Sequence, residues 1–195
     1  MSHPDTAPAD RPMSRYPRWM QEAERIDAAL YATIAGTPTP ALDKSMRRLS
    51  HVADYSRLSI TAAAVLALTG GATGRRAARS GLVSVAVTAA IVNIAIKPLS
   101  HRRRPDRVAE EVPLGRRVRM PASTSFPSGH SAAAFAFATG VGAVMPTAGI
   151  PLRTLAALVA YSRVHTGVHY PGDVIGGSLI GTALGQITTR ALHRR

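Results

Sequence analysis

Residues 58–74 and 80–96 form two runs of 17 residues without a single charge, separated only by a stretch carrying Arg75, Arg76 and Arg79. Arg57 precedes the first run and Lys97 follows the second. As helices at 1.5 Å per residue, each run is roughly 25 Å long, slightly short of a hydrocarbon core of roughly 30 Å. Arginines at the borders can snorkel and make up the difference. One such run alone also suits a buried helix of a soluble bundle. Here three more apolar segments follow, at 129–146, 152–164 and 174–189, with polar clusters at their borders. Together they predict an all-α, multi-span membrane helical bundle with five spans. In the last segment Gly177, Gly181 and Gly185 recur every four residues, a close-packing face for a neighbouring helix.

The chain has 195 residues, and its amino-terminal part is different. Residues 1–16 are rich in Pro, Arg and Asp with no apolar core, which predicts a disordered tail rather than a cleaved signal peptide. Across 17–34, Trp19, Ala23, Ile26 and Leu30 recur at spacings of three and four, opposite Glu22, Glu24, Arg25 and Asp27. That pattern predicts an amphipathic helix, with Trp19 and Tyr31 suited to a membrane interface. Thr39 is then expected as an N-cap with Pro40 at the first helical position. A second amphipathic helix follows, with Leu42, Met46, Leu49 and Val52 on one face. The division is therefore a tail at 1–16, interfacial helices at 17–56 and a membrane core at 57–195.

Twenty-four Lys and Arg against 11 Asp and Glu give a formal charge of +13, which calls for anionic partners. The cations sit in short clusters beside apolar runs and form no single basic helix, so a membrane and phosphate-bearing ligands fit better than nucleic acid. The chain has no cysteine, which excludes disulfides and thiolate metal sites.

The chemistry concentrates between the apolar segments. Within Ser162–Asp173 lie Arg163, His165, His169 and Asp173, and ionisable groups in such a place face a cavity or one another. Asp173 stands where it can hold one nitrogen of His169 and leave the other free to attack or to move a proton. Alternating helix directions bring this stretch to the same end of the bundle as Lys97, Arg104-Pro105 and Pro127-Ser128-Gly129-His130. The last of these reads as a tight turn into a helix N-terminus, where free N–H groups and the helix dipole attract an anion. Lys97, Arg104 and Arg163 supply fixed positive charge. Membrane flanking accounts for most of Arg102, Arg103, Arg107, Arg116, Arg117 and Arg119. Carboxylates are too sparse for a two-metal site, and no metal or cofactor is expected.

This set predicts metal-free phosphoryl transfer. His169 attacks phosphorus, Asp173 orients it, and His130 protonates the leaving alkoxide and then activates water. Lys97, Arg104, Arg163 and the amides at Ser128 and Gly129 stabilise the phosphoryl oxygens.

The residues resemble the type 2 phosphatidic acid phosphatase (PAP2) superfamily, whose pattern is K-x6-R-P, then P-S-G-H, then S-R-x5-H-x3-D. Lys97 with Arg104-Pro105, then Pro127 to His130, then Ser162-Arg163 with His169 and Asp173 match it at full spacing across 77 residues. The resemblance implies a helical bundle and metal-independent phosphatase activity, with the roles above carried by the same residues. Membrane members commonly have six spans, so the five counted here are a departure. His165 lies outside the signature and reads as a packing or rim residue.

Expected partners are a membrane and a lipid phosphate, polyprenyl or glycerolipid, with the protein integral to the cell membrane. A non-catalytic lipid-phosphate binding or transport protein would use the same cradle, but it needs no oriented nucleophile. A soluble vanadate-dependent haloperoxidase shares the motif, and the five apolar runs argue against it. Counting cations on each side by the positive-inside rule places the catalytic face in the cytoplasm. Phosphate binding accounts for several of those cations independently, so sidedness stays open.

Overall fold

The computed structural model describes residues 17–194, so the tail at 1–16 lies outside the described residues. Seven α-helices account for most of the described residues: α1 (Arg18–Gly36), α2 (Pro40–Val52), α3 (Arg57–Thr69), α4 (Gly71–Ala90), α5 (Gly129–Gly142), α6 (Pro146–His165) and α7 (Pro171–His193). No strand occurs among the described residues. A π turn at Ile91–Ile96 and a 3-10 turn at Lys97–Leu99 continue α4 to Leu99.

Small residues put α5 at the centre, packed against α4, α6 and α7. The three-glycine stripe of α7 lies on α5. A Cβ on Gly181 would stand 2.1 Å from the Ala132 carbonyl oxygen, and one on Gly177 would stand 2.5 Å from that of Ser128. Backbones this close leave no room even for a methyl group, so the repeat is a packing requirement. Across the other side of α5, Gly140 meets Ser80 on α4 in the same way.

The first apolar run does not end where the arginines predict. The chain breaks at Gly70–Gly71, where Gly71 takes φ +58°, and α4 begins there with Arg75, Arg76 and Arg79 in its first turns. Charge marked the edge of the apolar zone, whereas glycine marks the turn. In consequence α3 has only 13 residues, about 20 Å. Among the described residues one helix, Gly71–Leu99, is long and apolar enough to cross a membrane, and most of it is not buried inside the protein. Leu68, Ile94, Ile150, Leu179 and Ile187 are also exposed, so the bundle turns an apolar exterior outward.

In α1 the expected apolar stripe exists but points away from the protein. Trp19, Ile26 and Leu30 are exposed, while Tyr31 and Asp27 are buried. An outward stripe of this kind suits a bilayer interface. Pro40 opens α2 as expected. Thr39, however, donates its hydroxyl to Asp43 and caps no backbone amide.

Candidate active site

Four segments converge at one end of the bundle: the end of α4, the start of α5, the end of α6 with the turn after it, and the start of α7. That turn requires Gly167 in a left-handed conformation, with φ +73°. It brings residues 168–170 back across the loop between α4 and α5. Pro171 opens α7 as expected, and Asp173 sits in its first turn, where its Oδ2 accepts the Tyr170 amide at 2.9 Å.

Asp173 and His169 are almost completely buried. Besides the Tyr170 amide, Asp173 accepts hydrogen bonds from Arg102 Nη1 at 2.9 Å and Ser125 Oγ at 2.5 Å. His169 Nδ1 lies 3.5 Å from Asp173 Oδ2 and 3.4 Å from Ser125 Oγ. On the other edge of the ring, Nε2 lies 3.2 Å from Arg104 Nη1. Arginine can only donate, so Nε2 presents its lone pair and the proton sits on Nδ1, toward the carboxylate. Burial pushes the imidazole down to about 4, helped by the Arg104 and Arg163 charges and opposed by Asp173. The ring is therefore neutral at physiological pH, as a nucleophile must be.

Arg104 is itself fixed by the loop. It donates to the carbonyls of Ser123, Thr124 and Val168 at 2.8, 3.2 and 2.7 Å. Lys97 Nζ reaches Ser123 Oγ at 3.0 Å, and it would stand 3.8 Å from a Cβ on Gly129. Ser128 caps α5 through its Oγ, and its amide donates to the Asp173 carbonyl at 3.0 Å. That tie consumes the Ser128 donor. The Gly129 amide, at the first helical position, has no helical carbonyl to bond and is the donor this turn offers a ligand.

His130 and Arg163 meet on a carboxylate that the sequence did not single out. Asp54 Oδ1 lies 2.8 Å from His130 Nε2 and 3.7 Å from Arg163 Nη1. It stands in the turn between α2 and α3, where Tyr55 and Ser56 both adopt left-handed backbone with φ 56°. Side chains with a Cβ enter that region at a cost on the order of 1 kcal/mol each. Arg163 is buried, bonds Ser50 Oγ at 2.6 Å, and keeps an Nε with no partner among the described residues.

All the predicted site residues thus reach one place, and the loop arginines need correction. Arg102 is no membrane flank. It bridges Asp173 and Asp27 of α1 and lies over the Tyr170 ring at 4.6 Å. Arg116, fully buried, donates to Asp43, Thr39 and the carbonyls of Ile34, Ala35 and Thr37. Arg107 and Arg117 donate to carbonyls of the same loop. These four hold the loop in place. His165 is a buried packing residue, as expected, with Nε2 3.1 Å from Asp43 Oδ1. Missed by the sequence reading were Asp54, Asp27 and Ser125. Only Ser125, inside the polar run before Pro127, stood near a signal.

Residues 77–195 match the PAP2 superfamily. The chain belongs to this superfamily. It is 34% identical over 172 residues to a decaprenylphosphoryl-5-phosphoribose phosphatase of Mycobacterium tuberculosis, covering 86% of this chain and 91% of that protein. The fold resembles that of Aquifex aeolicus LpxE, with a TM-score of 0.68 and 26% identity over 85% of this chain and 95% of LpxE. It also resembles a transmembrane PAP2-type phosphatidylglycerolphosphate phosphatase of Bacillus subtilis, at TM-score 0.67 and 24% identity over 92% of this chain and 89% of the other. The chain is a phosphatase of the superfamily's membrane branch.

Proposed function

We propose that the protein hydrolyses a lipid phosphate at the membrane surface, with His169 as nucleophile and without a metal ion. The observation that carries this reading is the arrangement of His169, with Nδ1 facing Asp173 and the Nε2 lone pair facing Arg104 among the cations of the cradle. Nε2 attacks phosphorus, the bond to the leaving alkoxide breaks, and His130 gives that oxygen a proton. The products are the lipid alcohol and a phosphohistidine. His130 then takes a proton from water, which attacks the phosphohistidine and frees His169 and inorganic phosphate.

Each neighbour has a part. Lys97, Arg104, Arg163 and the Gly129 amide hold the phosphoryl oxygens, and the partnerless Nε of Arg163 gains an acceptor. Ser128 fixes the turn that aims the Gly129 amide. Asp173 stabilises the positive charge that grows on His169, and Ser125 and Arg102 keep Asp173 in place. Asp54 does for His130 what Asp173 does for His169.

The substrate reading rests on surroundings. Beside His130 and Lys97 opens a cavity of about 210 Å³ lined by Leu58, Ala89, Val92, Ala133 and Val159. It offers an apolar surface to the lipid part of the substrate. With the mycobacterial relative acting on a decaprenyl lipid, a polyprenyl-linked phosphate is the proposed substrate.

The test is phosphate release from polyprenyl and glycerolipid phosphates by the detergent-purified protein in the presence of EDTA. Release is expected, with inhibition by vanadate. Activity lost on chelation and restored by magnesium would overturn the metal-free mechanism.

A further inference from the structure

On the same end of the molecule, α2 and the loop at residues 115–119 enclose a second space, a groove of about 690 Å³. Its lining includes Lys44, Arg47, Arg48 and Arg119. None of these four has a carboxylate partner among the described residues. Asp43, the single carboxylate of the lining, is already engaged by Arg116 and His165. The groove therefore holds uncompensated positive charge.

Two features separate it from an ordinary basic membrane flank. Its loop wall is built in place, because buried Arg116 pins the loop to the end of α1 and the start of α2. It also adjoins the reaction centre. His51 lines the groove, and its Nδ1 lies 3.6 Å from Asp54, which in turn touches His130. Arg47 and Arg48 stand one helical turn before His51 on the same helix. The long side chains of such a wall can take up an anion carried on the leaving portion of the substrate, away from the scissile phosphorus.

We propose that this groove is a second anion subsite, which binds a negatively charged group on the leaving portion of the substrate. The inference rests on the phosphatase reading above. It favours, among lipid phosphates, those whose leaving portion carries a second anion, such as a phosphorylated sugar held on a lipid phosphodiester. The scissile phosphate sits at His169, the alkoxide that leaves is a sugar oxygen beside His130, and the phosphodiester lies against Arg47, Arg48 and Lys44.

The test compares two substrates of equal chain length, a polyprenyl-phosphoryl-ribose 5-phosphate and a polyprenyl monophosphate, in bilayers of zwitterionic lipid. The Arg47→Ala/Arg48→Ala variant should lose about tenfold or more in kcat/KM on the phosphosugar lipid, mainly through KM, as expected for losing at least one charge-assisted contact. The Arg47→Lys/Arg48→Lys variant should recover most of that loss. Selectivity, the ratio of the two kcat/KM values, is the quantity that moves. An equal fall on both substrates, or no fall on either, overturns the subsite. A loss on both that tracks the fraction of anionic lipid added to the bilayer also overturns it, by assigning these cations to the membrane surface. If the wild-type protein cleaves neither substrate, the phosphatase reading fails first and the subsite with it. Cleavage of both without discrimination sinks the subsite alone.

Discussion

In the proposed mechanism His169 and His130 act on the same substrate, and the fold holds them in opposite ways. His169 is almost fully buried, and its partner Asp173 is fixed by Arg102, Ser125 and the Tyr170 amide. The side chain of His130 is 24% exposed, and its partner Asp54 is 31% exposed on a turn with two left-handed residues. The difference fits what each ring would do in that mechanism. A nucleophile performs one motion along one line, so fixing it beforehand removes entropy from the barrier. The other histidine must give a proton and then collect one from water, which requires solvent access and a partner that yields.

The contrast can be tested by removing each ring. His169→Ala is expected to reduce phosphate release to the uncatalysed background, and persistent turnover would remove it from the nucleophile role. His130→Ala should slow turnover by roughly 10² to 10⁴ yet still accept phosphate. A ³²P-labelled substrate should then leave label on the protein. Label that never accumulates, even with a leaving group needing no proton, would make the two rings equivalent.

Their carboxylates sharpen the comparison further. Asp173→Asn should impair every substrate, because it disturbs the attacking ring. Asp54→Asn should cost about tenfold in kcat/KM on an alkyl phosphate, the value of one charge-assisted hydrogen bond. On p-nitrophenyl phosphate, whose leaving group departs unprotonated, the cost should be less than about threefold. An equal cost on both would make Asp54 merely structural.

The smallest effect is a titration. In the folded protein His169 takes its proton at about 4, against 6.5 for a free imidazole. The unfolded chain therefore binds that proton first as pH falls. This residue's contribution lowers stability progressively between about 6.5 and 4, and leaves it level outside that window. NMR of the imidazole, assigned by its absence in His169→Ala, should show titration near 4. A midpoint at or above 6.5 would mean that the ring is not buried as described.

The side of the site around His169 was legible in the sequence, and the side around His130 only half so. Arg163, His169 and Asp173 stand within one turn and its flanking helix ends, so spacing alone relates them. Asp54 meets His130 across 76 positions and Asp27 meets Arg102 across 75. A lone aspartate in a polar stretch carries no local mark of such a partner. The loop arginines were misjudged for a related reason, since an arginine flanking a membrane and one donating to buried carbonyls look alike in a sequence. The Gly70–Gly71 break was hidden by the cluster from Arg75 to Arg79, because side chains of that length can run along a helix to its end.

The bridge from Asp27 through Arg102 to Asp173 ties the amino-terminal helices to the candidate site. Residues 77–195 contain the whole family signature, yet several arginines of this part find their counter-ions earlier in the chain. Asp27 answers Arg102, Asp43 answers Arg116, and Asp54 answers Arg163. Without those three aspartates, Arg116 and Arg163 would keep no carboxylate partner among the described residues, and Arg102 only Asp173. The part of the chain that carries the motifs thus draws on the part that carries none for the partners of these cations.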